Sequence, residues 1–469
     1  MVVNRREFLN AASLAAIAGA AGGCATEGGS GATARVPPVA PWLEADVVVA
    51  GGGPAGVCAA VSAARLGVKT ILAERFGCLG GNLTLGHVSP ILGKVCPGTM
   101  ADEVRRLLNA NHLDAQKVMT RNGPEEHIDH EEAKGILAKL CTEAGVTVLL
   151  CAPVVDAQMD GRRVVGLTVD TPKGLRSIRA KVVVDATGDG RVAVAAGAEV
   201  KIGRESDGAT QPSTLEFVVD GVDESCAITA WGGTDPVKLP SGEEYRALCK
   251  RMNAAGELPK NVTIVRLHRT FYPGERSVNA TQINGIDPLD PVALGKAEAE
   301  LRWQIDQCVA FLRKHVPGFG KCRVKSSAGT LGVRETRRVM GDAMVVDDDL
   351  HDGRHYLDAI VHNAWFLIDI HNPKGGGQAE GHSHPAKPYD IRYGAFLPKG
   401  IDGLLTAGRC ISGTHRAHAS YRVMTPCMAM GEAVGVAAAL AVRRNAVPRD
   451  VPADGIRKVL MERGVQLAT

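Results

Sequence analysis

The segment Asp46–Arg75 reads DVVVA, GGGPAG, VCAAVSAARLG, VKTILAER: a short apolar strand, a glycine turn, a small-residue helix, a second strand and an acid. Gly51, Gly53 and Gly56 form a G-x-G-x-x-G, and Glu74 closes the second apolar run. That combination binds the ADP half of a dinucleotide. Gly51 permits the tight turn, Gly53 lets the backbone approach a pyrophosphate, and Gly56 lets helix and strand pack closely. The helix N-terminus faces the phosphates, and Glu74 can accept hydrogen bonds from an adenosine ribose. In a chain with 55 glycines the spacing alone means little, so the strand–turn–helix context and Glu74 carry the reading.

Other residues could do chemistry. Arg334, Glu335 and Arg338 share a face if their stretch is helical, where they would bind an anionic substrate or form an ion-pair network between domains. Asp369 and His371 fall on one side of a period-two strand, Trp365–His371. They would line an active site or make a structural His–Asp pair. His382-Ser383-His384 sits in a Gly/Pro-rich loop that reads as a surface loop or lid before it reads as a metal site, and no metal is expected. The 12 cysteines include no C-x2-C, and the closest two are Cys141 and Cys151. Neither a zinc site nor an iron–sulfur run is written here, and most cysteines read as small buried hydrophobes. No second G-x-G-x-x-G follows a strand, which argues against a separate nicotinamide domain.

The elements that position these residues follow from the patterning. Of 469 residues, 45% are hydrophobic and 22% charged, ordinary for a soluble two-domain chain. A net charge of +3, with no basic run, gives no reason to expect nucleic acid. Residues 25–44 read as a Gly/Ser/Ala- and Pro-rich linker. Helices are expected at Glu103–Asn109, Glu131–Glu143, Leu294–His315 and Met424–Arg443. Strands are expected at Val146–Leu150, Lys181–Ala186 and Leu404–Ala407, with a hairpin at Val164–Asp170 and Leu175–Ala180. The more polar residues 204–325 suggest a second domain inserted into the first.

At the N-terminus, Asn4-Arg5-Arg6-Glu7-Phe8-Leu9 looks like a twin-arginine export motif, followed by a mildly apolar stretch from Ala11 to Gly23 that is too short and weak to span a membrane. Ala18-Gly19-Ala20 offers a cleavage site, and Cys24, in a poor lipobox, offers a lipid anchor instead. The expected location is periplasmic, or otherwise exported by that route.

Three segments in order carry a resemblance: Gly51–Gly56 with Glu74 and Cys78-Leu79-Gly80-Gly81-Asn82; Val184-Asp185-Ala186-Thr187-Gly188-Asp189-Gly190; and Leu404-Leu405-Thr406-Ala407-Gly408-Arg409-Cys410-Ile411-Ser412. From about Glu44 to Leu467 the chain resembles the FAD-dependent oxidoreductases grouped with the heterodisulfide reductase flavin subunit, among the glutathione-reductase-like flavoproteins. The resemblance implies an α/β fold: a Rossmann-like FAD-binding domain at 45–203 and 396–469, with an inserted, mainly α+β substrate or cap domain at 204–395. It implies FAD held by Gly51, Gly53 and Gly56, with Glu74 and Arg75 at the adenosine. Gly80, Gly81 and Asn82 would lie near the flavin end, and Ala186, Thr187 and Gly188 under the pyrophosphate. Gly408 and Arg409 would run along the ribityl chain, and the helix opening at Met424 would face the flavin pyrimidine edge, where a reduced flavin is anionic. Family association would also admit a four-iron cluster, but this chain has no cysteine set for it.

In the resembling fold, the connection holding His415, His418 and Arg422 passes the redox-active ring. These residues, with His371 as a further candidate, would handle the proton and hold a carboxylate or ketone oxygen, or else hydrogen-bond the cofactor and loop. The expected activity is hydride transfer between FAD and a small organic substrate, with a quinone, a small redox protein or oxygen as electron partner. Two alternatives stay open: electron transfer with a disulfide or protein partner, supported if Cys78 or Cys410 reacts with the flavin, and a non-catalytic flavin-binding module. For export, Arg5→Lys with Arg6→Lys should leave precursor in the cytoplasm; unchanged export of that double variant in a fractionation assay would exclude the twin-arginine route.

Overall fold

Alternating apolar residues set the central layer. Val47 and Val49 join one hydrophobic core, while Val48 and Ala50 join another on the opposite face. A strand buried on both faces belongs in a parallel sheet covered on both sides. The computed structural model describes residues 41–467 except 113–118, 121–122, 125–126, 232–235, 378 and 380–382. Arg5, Arg6, Ala18–Ala20, Cys24 and His382 therefore lie outside the described residues.

Among the described residues, the main sheet has seven strands. They are β1 Pro41–Ala50, β2 Thr70–Ala73, β3 Thr147–Leu149, β4 Val154–Asp160, β5 Arg163–Thr171, β6 Gly174–Asp185 and, late in the chain, β11 Leu404–Thr406. The order is β3-β2-β1-β6-β5-β4, with β11 also paired to β6. Pairing is parallel for β1–β2, β1–β6, β2–β3 and β11–β6, and antiparallel for β4–β5 and β5–β6. Between the early and late strands runs a second, antiparallel sheet, ordered β8-β9-β7-β10: β7 Phe217–Asp220, β8 Arg266–Arg269, β9 Arg276–Asn279 and β10 Arg323–Ser327.

Six helices matter for the site: α1 Pro54–Arg65, α2 Met100–Asn109, α3 His130–Glu143, α4 Pro291–His315, α5 His415–Tyr421 and α6 Met424–Arg443. The α4 helix buries Leu301, Ile305, Cys308, Phe311 and Leu312 against the second sheet, forming its own core. The α6 helix is apolar on nearly every face. It is long enough to cross a membrane, yet 89% of that window is buried inside the protein, as expected of a core helix.

Several expectations change. The supposed linker ends earlier, because Pro41, Leu43 and Glu44 already pair with β6. Leu175–Ala180 and Lys181–Ala186 are one strand, β6: its first half closes the hairpin with β5 and its second half lies between β1 and β11. Arg334–Arg338 is not helical; Arg337–Val339 pairs with Val200–Ile202 as strand. Trp365–His371 is no regular strand either, and Trp365 and Ile368 make only isolated bridges, to Lys94 and His384. The second core runs from Leu215 to Ala328, whereas Val345, Leu350, Ile360 and Tyr389, inside the span read as substrate domain, pack with α1 and α6 in the main core.

The α1–α6 crossing is a backbone contact. A Cβ on Gly431 would land on the Ala55 carbonyl oxygen, and one on Gly435 on the Ala59 carbonyl oxygen. Gly431→Val should therefore lower stability by at least about 2 kcal/mol in denaturant unfolding, within the usual overpacking range. Gly135→Ala, whose Cβ on α3 would meet nothing within 4 Å, should be neutral or stabilising. Equal stability of the two variants would contradict the close crossing.

Candidate active site

The glycine turn joins β1 to α1. Gly51 has φ +95° and donates its N–H to Ala73 O at 2.7 Å. Its Cβ position is closed by Ala186 O at 2.6 Å and Thr187 Cα at 2.8 Å, so the Ala186–Thr187 segment lies directly against the turn. Gly53 caps α1, Pro54 fills the first helical position, and an added Cβ on Gly53 would meet nothing within 4 Å. A Cβ on Gly56 would strike the Gly51 carbonyl oxygen. Glu74 is buried, and its carboxylate accepts the Gly52 N–H and, at 2.9 Å, the Phe76 N–H. It braces the turn itself, with lone pairs left for a ribose.

Gly80 and Gly81 sit against the glycine turn. Gly80 N–H donates to Gly52 O at 2.8 Å, and Gly81 lies over Gly53 Cα, 3.3 Å from a Cβ built on it. The pair borders the glycine turn, and Asn82 beside it is exposed. Gly188, at φ +76°, lies against the Arg409 guanidinium. Gly408, at φ +82°, approaches Ala55 at the start of α1 and Cys427 at the start of α6. The three glycine motifs thus meet around one helix N-terminus. Asp189, not singled out from sequence as a site residue, ties them: Oδ1 takes Arg409 Nη2 at 2.6 Å and Thr336 Oγ1 at 3.0 Å, and Oδ2 lies 3.5 Å from Arg75 Nη1. Arg409 Nη1 is buried without a partner. An approachable helix N-terminus, glycines where a backbone must come close, and an orphaned guanidinium nitrogen fit the phosphates of FAD.

Beyond Gly408, Thr414 caps α5 by accepting the Ala417 N–H at 3.1 Å. His415 Nδ1 lies 2.9 Å from Glu335 Oε1. Glu335 is fully buried, pairs with Arg338 and accepts the Gln211 N–H at 3.1 Å, while Arg338 donates to Gly413 O at 2.9 Å and Gly203 O at 2.8 Å. Glu335 and Arg338 are a buried brace, and His415 belongs to it. His418 is fully buried, and neither ring nitrogen has a hydrogen-bond partner among the described residues. Burial first, then Arg422, Arg338 and Arg409, hold it well below the usual histidine range, so it is neutral. At the start of α6, Met424 is buried, Thr425 N–H is already given to Leu92 O at 3.1 Å, and Pro426 has no N–H, so this N-terminus offers few donors to a ring.

Arg422, at the C-cap of α5, donates from Nη2 to Asp369 O at 3.1 Å and lies 3.4 Å from Asp369 Oδ2; its Nε is buried without a partner. Asp369 Oδ2 is 3.2 Å from His371 Nε2. Burial pushes the Asp369 carboxyl up, but His371, Arg422 and Arg334 outweigh it and hold it well below the carboxylate range. Burial, then Arg334, bring His371 down to about 4. Burial, then Arg422, bring Arg334 down to about 9. Arg334 leaves the Arg338 brace for this cluster because the stretch is extended; its Nη1 donates to Pro212 O at 2.7 Å. Sequence reading missed Glu216, which is buried with Oε2 unpartnered and pushed by burial to about 8 against the pull of Arg334, Arg266 and the Ser89 N–H. In Leu-Glu-Phe-Val-Val it alternates with apolar residues and so reads as the solvent side of a strand.

The thiols are quiet. Cys410 and Cys427 are buried; burial raises the first far above the usual thiol range and the second to about 12. Neither is poised to react with a flavin. Cys78 is half-buried and the eleven described cysteines are all free. Among the described residues, the one group of His, Cys, Asp and Glu with metal-ligand spacing is His112, Asp129 and Glu132, which contains no cysteine. Its atoms are engaged already: Asp129 caps α3 and takes the Tyr272 hydroxyl, and His112 sits 2.9 Å from Glu132.

Curated proteins similar to this chain include a thiamine thiazole synthase of Desulfosudis oleivorans, 34% identical over 157 residues that make up 31% of this chain and 57% of that one. Another, of Saccharolobus solfataricus, is 31% identical over 157 residues, 31% and 56% of the two chains. The chain thus spans about half the length of these relatives. Similar solved structures include a geranylgeranyl bacteriochlorophyll reductase-like protein of Thermoplasma acidophilum, with TM-score 0.46, 16% identity and coverage of 90% and 84%. The flavin-dependent brominase Bmp2 gives TM-score 0.46, 14% identity and coverage of 89% and 83%. Residues 46–460 match the family described as FAD dependent oxidoreductase, a span that holds the glycine turn, the Asp189 tie and the α5–α6 junction, and the chain belongs to that family of FAD enzymes.

Proposed function

We propose that this FAD-dependent oxidoreductase is exported and exchanges a hydride with a small organic substrate at the α5–α6 junction. The observation that carries the reading is the run of His418, Arg422, Asp369 and His371, in which catalytic residue types gather and several buried nitrogens lack protein partners. Buried polar groups are normally satisfied, so orphans at one place speak for a ligand there.

FAD, when bound, supplies the hydride acceptor or donor. The chain's own groups supply the rest. Arg422 is fixed by Asp369, and its Nε remains to hold a substrate oxygen. Asp369 in turn orients the His371 ring, the way a carboxylate sets an imidazole. His418 is uncharged, so a ring nitrogen can accept the substrate's proton, and the three neighbouring arginines then drive that proton off again. His415 is held to Glu335 and serves the fold.

The buried Cys410 and Cys427 thiols weigh against the disulfide-exchanging alternative. Anaerobic photoreduction of the holoprotein, then mixing with small organic acceptors, tests the reading: reoxidation by an organic acceptor supports it, and reoxidation only by a redox protein refutes it. In the same assay His418→Ala should keep its FAD and lose at least about a hundredfold in rate, as expected on removing a general acid–base. Near wild-type rates with full FAD would remove His418 from the reaction and make His371 the proton carrier.

A further inference from the structure

Resting on that reading of the α5–α6 junction as the substrate site, we propose that the substrate carries a carboxylate, bound between the guanidiniums of Arg334 and Arg422.

The charges around these two arginines do not balance. Arg422 shares Asp369 with His371, and Arg334 is answered by the neutral carbonyl of Pro212. Arg422 lies close enough to Arg334 to disfavour its charge. Glu216, on the second-sheet side, does not restore balance at neutral pH, because burial keeps its proton on. His371 is neutral there as well. Arg422 also feels Glu335, but that carboxylate is already held by Arg338 and His415, and Arg266 adds positive charge on the Arg334 side. Cations therefore outnumber the carboxylates at Arg334 and Arg422, in a place where an unmatched charge is costly.

The cluster is not sealed. Arg422, Asp369 and His371 keep 12%, 21% and 9% of their side-chain surface, and Arg334 is half-buried, so all four are reachable from outside. Arg422 Nε is a donor with no acceptor. A carboxylate meets these conditions: it carries one charge, and its planar pair of oxygens matches a guanidinium fork. A phosphate dianion suits this cluster less well, since the carbonyls of Pro212 and Asp369 point at the same guanidiniums and would repel the second charge.

The test uses the holoprotein and three acid–amide pairs: acetate and acetamide, benzoate and benzamide, succinate and succinamide. Binding is followed by the visible flavin spectrum and by thermal shift. At least one acid should bind a hundredfold or more tighter than its amide. Arg334→Met and Arg422→Met should each weaken the acid at least tenfold and leave the amide unchanged, while Arg334→Lys and Arg422→Lys, which keep the charge, should fall between. Acid binding should also weaken as pH rises through about 8, as Glu216 ionises beside Arg334, Arg266 and the Ser89 N–H and competes for Arg334. Glu216→Gln should abolish the loss around pH 8 and leave only the loss near 9, where Arg334 itself gives up its proton. Equal binding of acid and amide, binding indifferent to both arginine substitutions, or no binding by any of the three acids would overturn the proposal. Carboxylate binding of this kind, with photoreduced flavin that no organic acceptor reoxidises, would uphold the anion site and refute only the proposed function.

Discussion

Everything at the site depends on how closely α6 can approach α1. Gly431 stands on the Ala55 carbonyl, Gly408 on the Ala55 side chain, and Gly56 on Gly51. These contacts work only because a Cβ is missing at each place. They fix the glycine turn, drawn from the first part of the main sheet, against the α5–α6 junction, drawn from the end of the chain more than 350 residues later. Without that crossing the phosphate-binding turn and the arginine–histidine cluster would be separate features.

The second constraint is electrostatic. The chain places Arg334, Arg338, Arg409 and Arg422 around one junction and treats them differently. Arg338 and Arg409 are matched by buried or half-buried acids, Glu335 and Asp189, within one hydrogen-bond length. Those pairs hold the α5 loop and the Gly188 turn in place. Arg334 and Arg422 are left with carbonyls and a shared Asp369. A protein that pairs some buried cations closely and leaves adjacent ones under-matched keeps charge in reserve for a ligand.

The parts legible in the sequence are those ruled by local geometry. Met424–Arg443 is bounded as its apolar pattern suggests, and the strand–turn–helix unit stands where the glycines place it. Long-range pairing hid the rest. Pro41–Glu44 looks like linker because Pro and Glu are poor strand formers, yet it has an edge of β6 to pair with. Arg334 and Arg338 look like one face of a helix; strand pairing at Arg337–Val339 sends them to different partners instead. Asp369 and His371 meet even though their segment is irregular, since residues two apart in an extended chain share a side. Glu216 was illegible because alternation marks which residues share a face, not whether a second body covers that face.

The central claim is that the Gly51–Gly56 turn seats FAD beside this charged junction. Flavin content of the folded, purified protein tests it most directly. The wild type should be yellow with about one FAD per chain, and Gly53→Val, whose side chain would enter the open approach to the α1 N-terminus, should fold and be colourless. A folded Gly53→Val protein with full flavin occupancy would contradict the account.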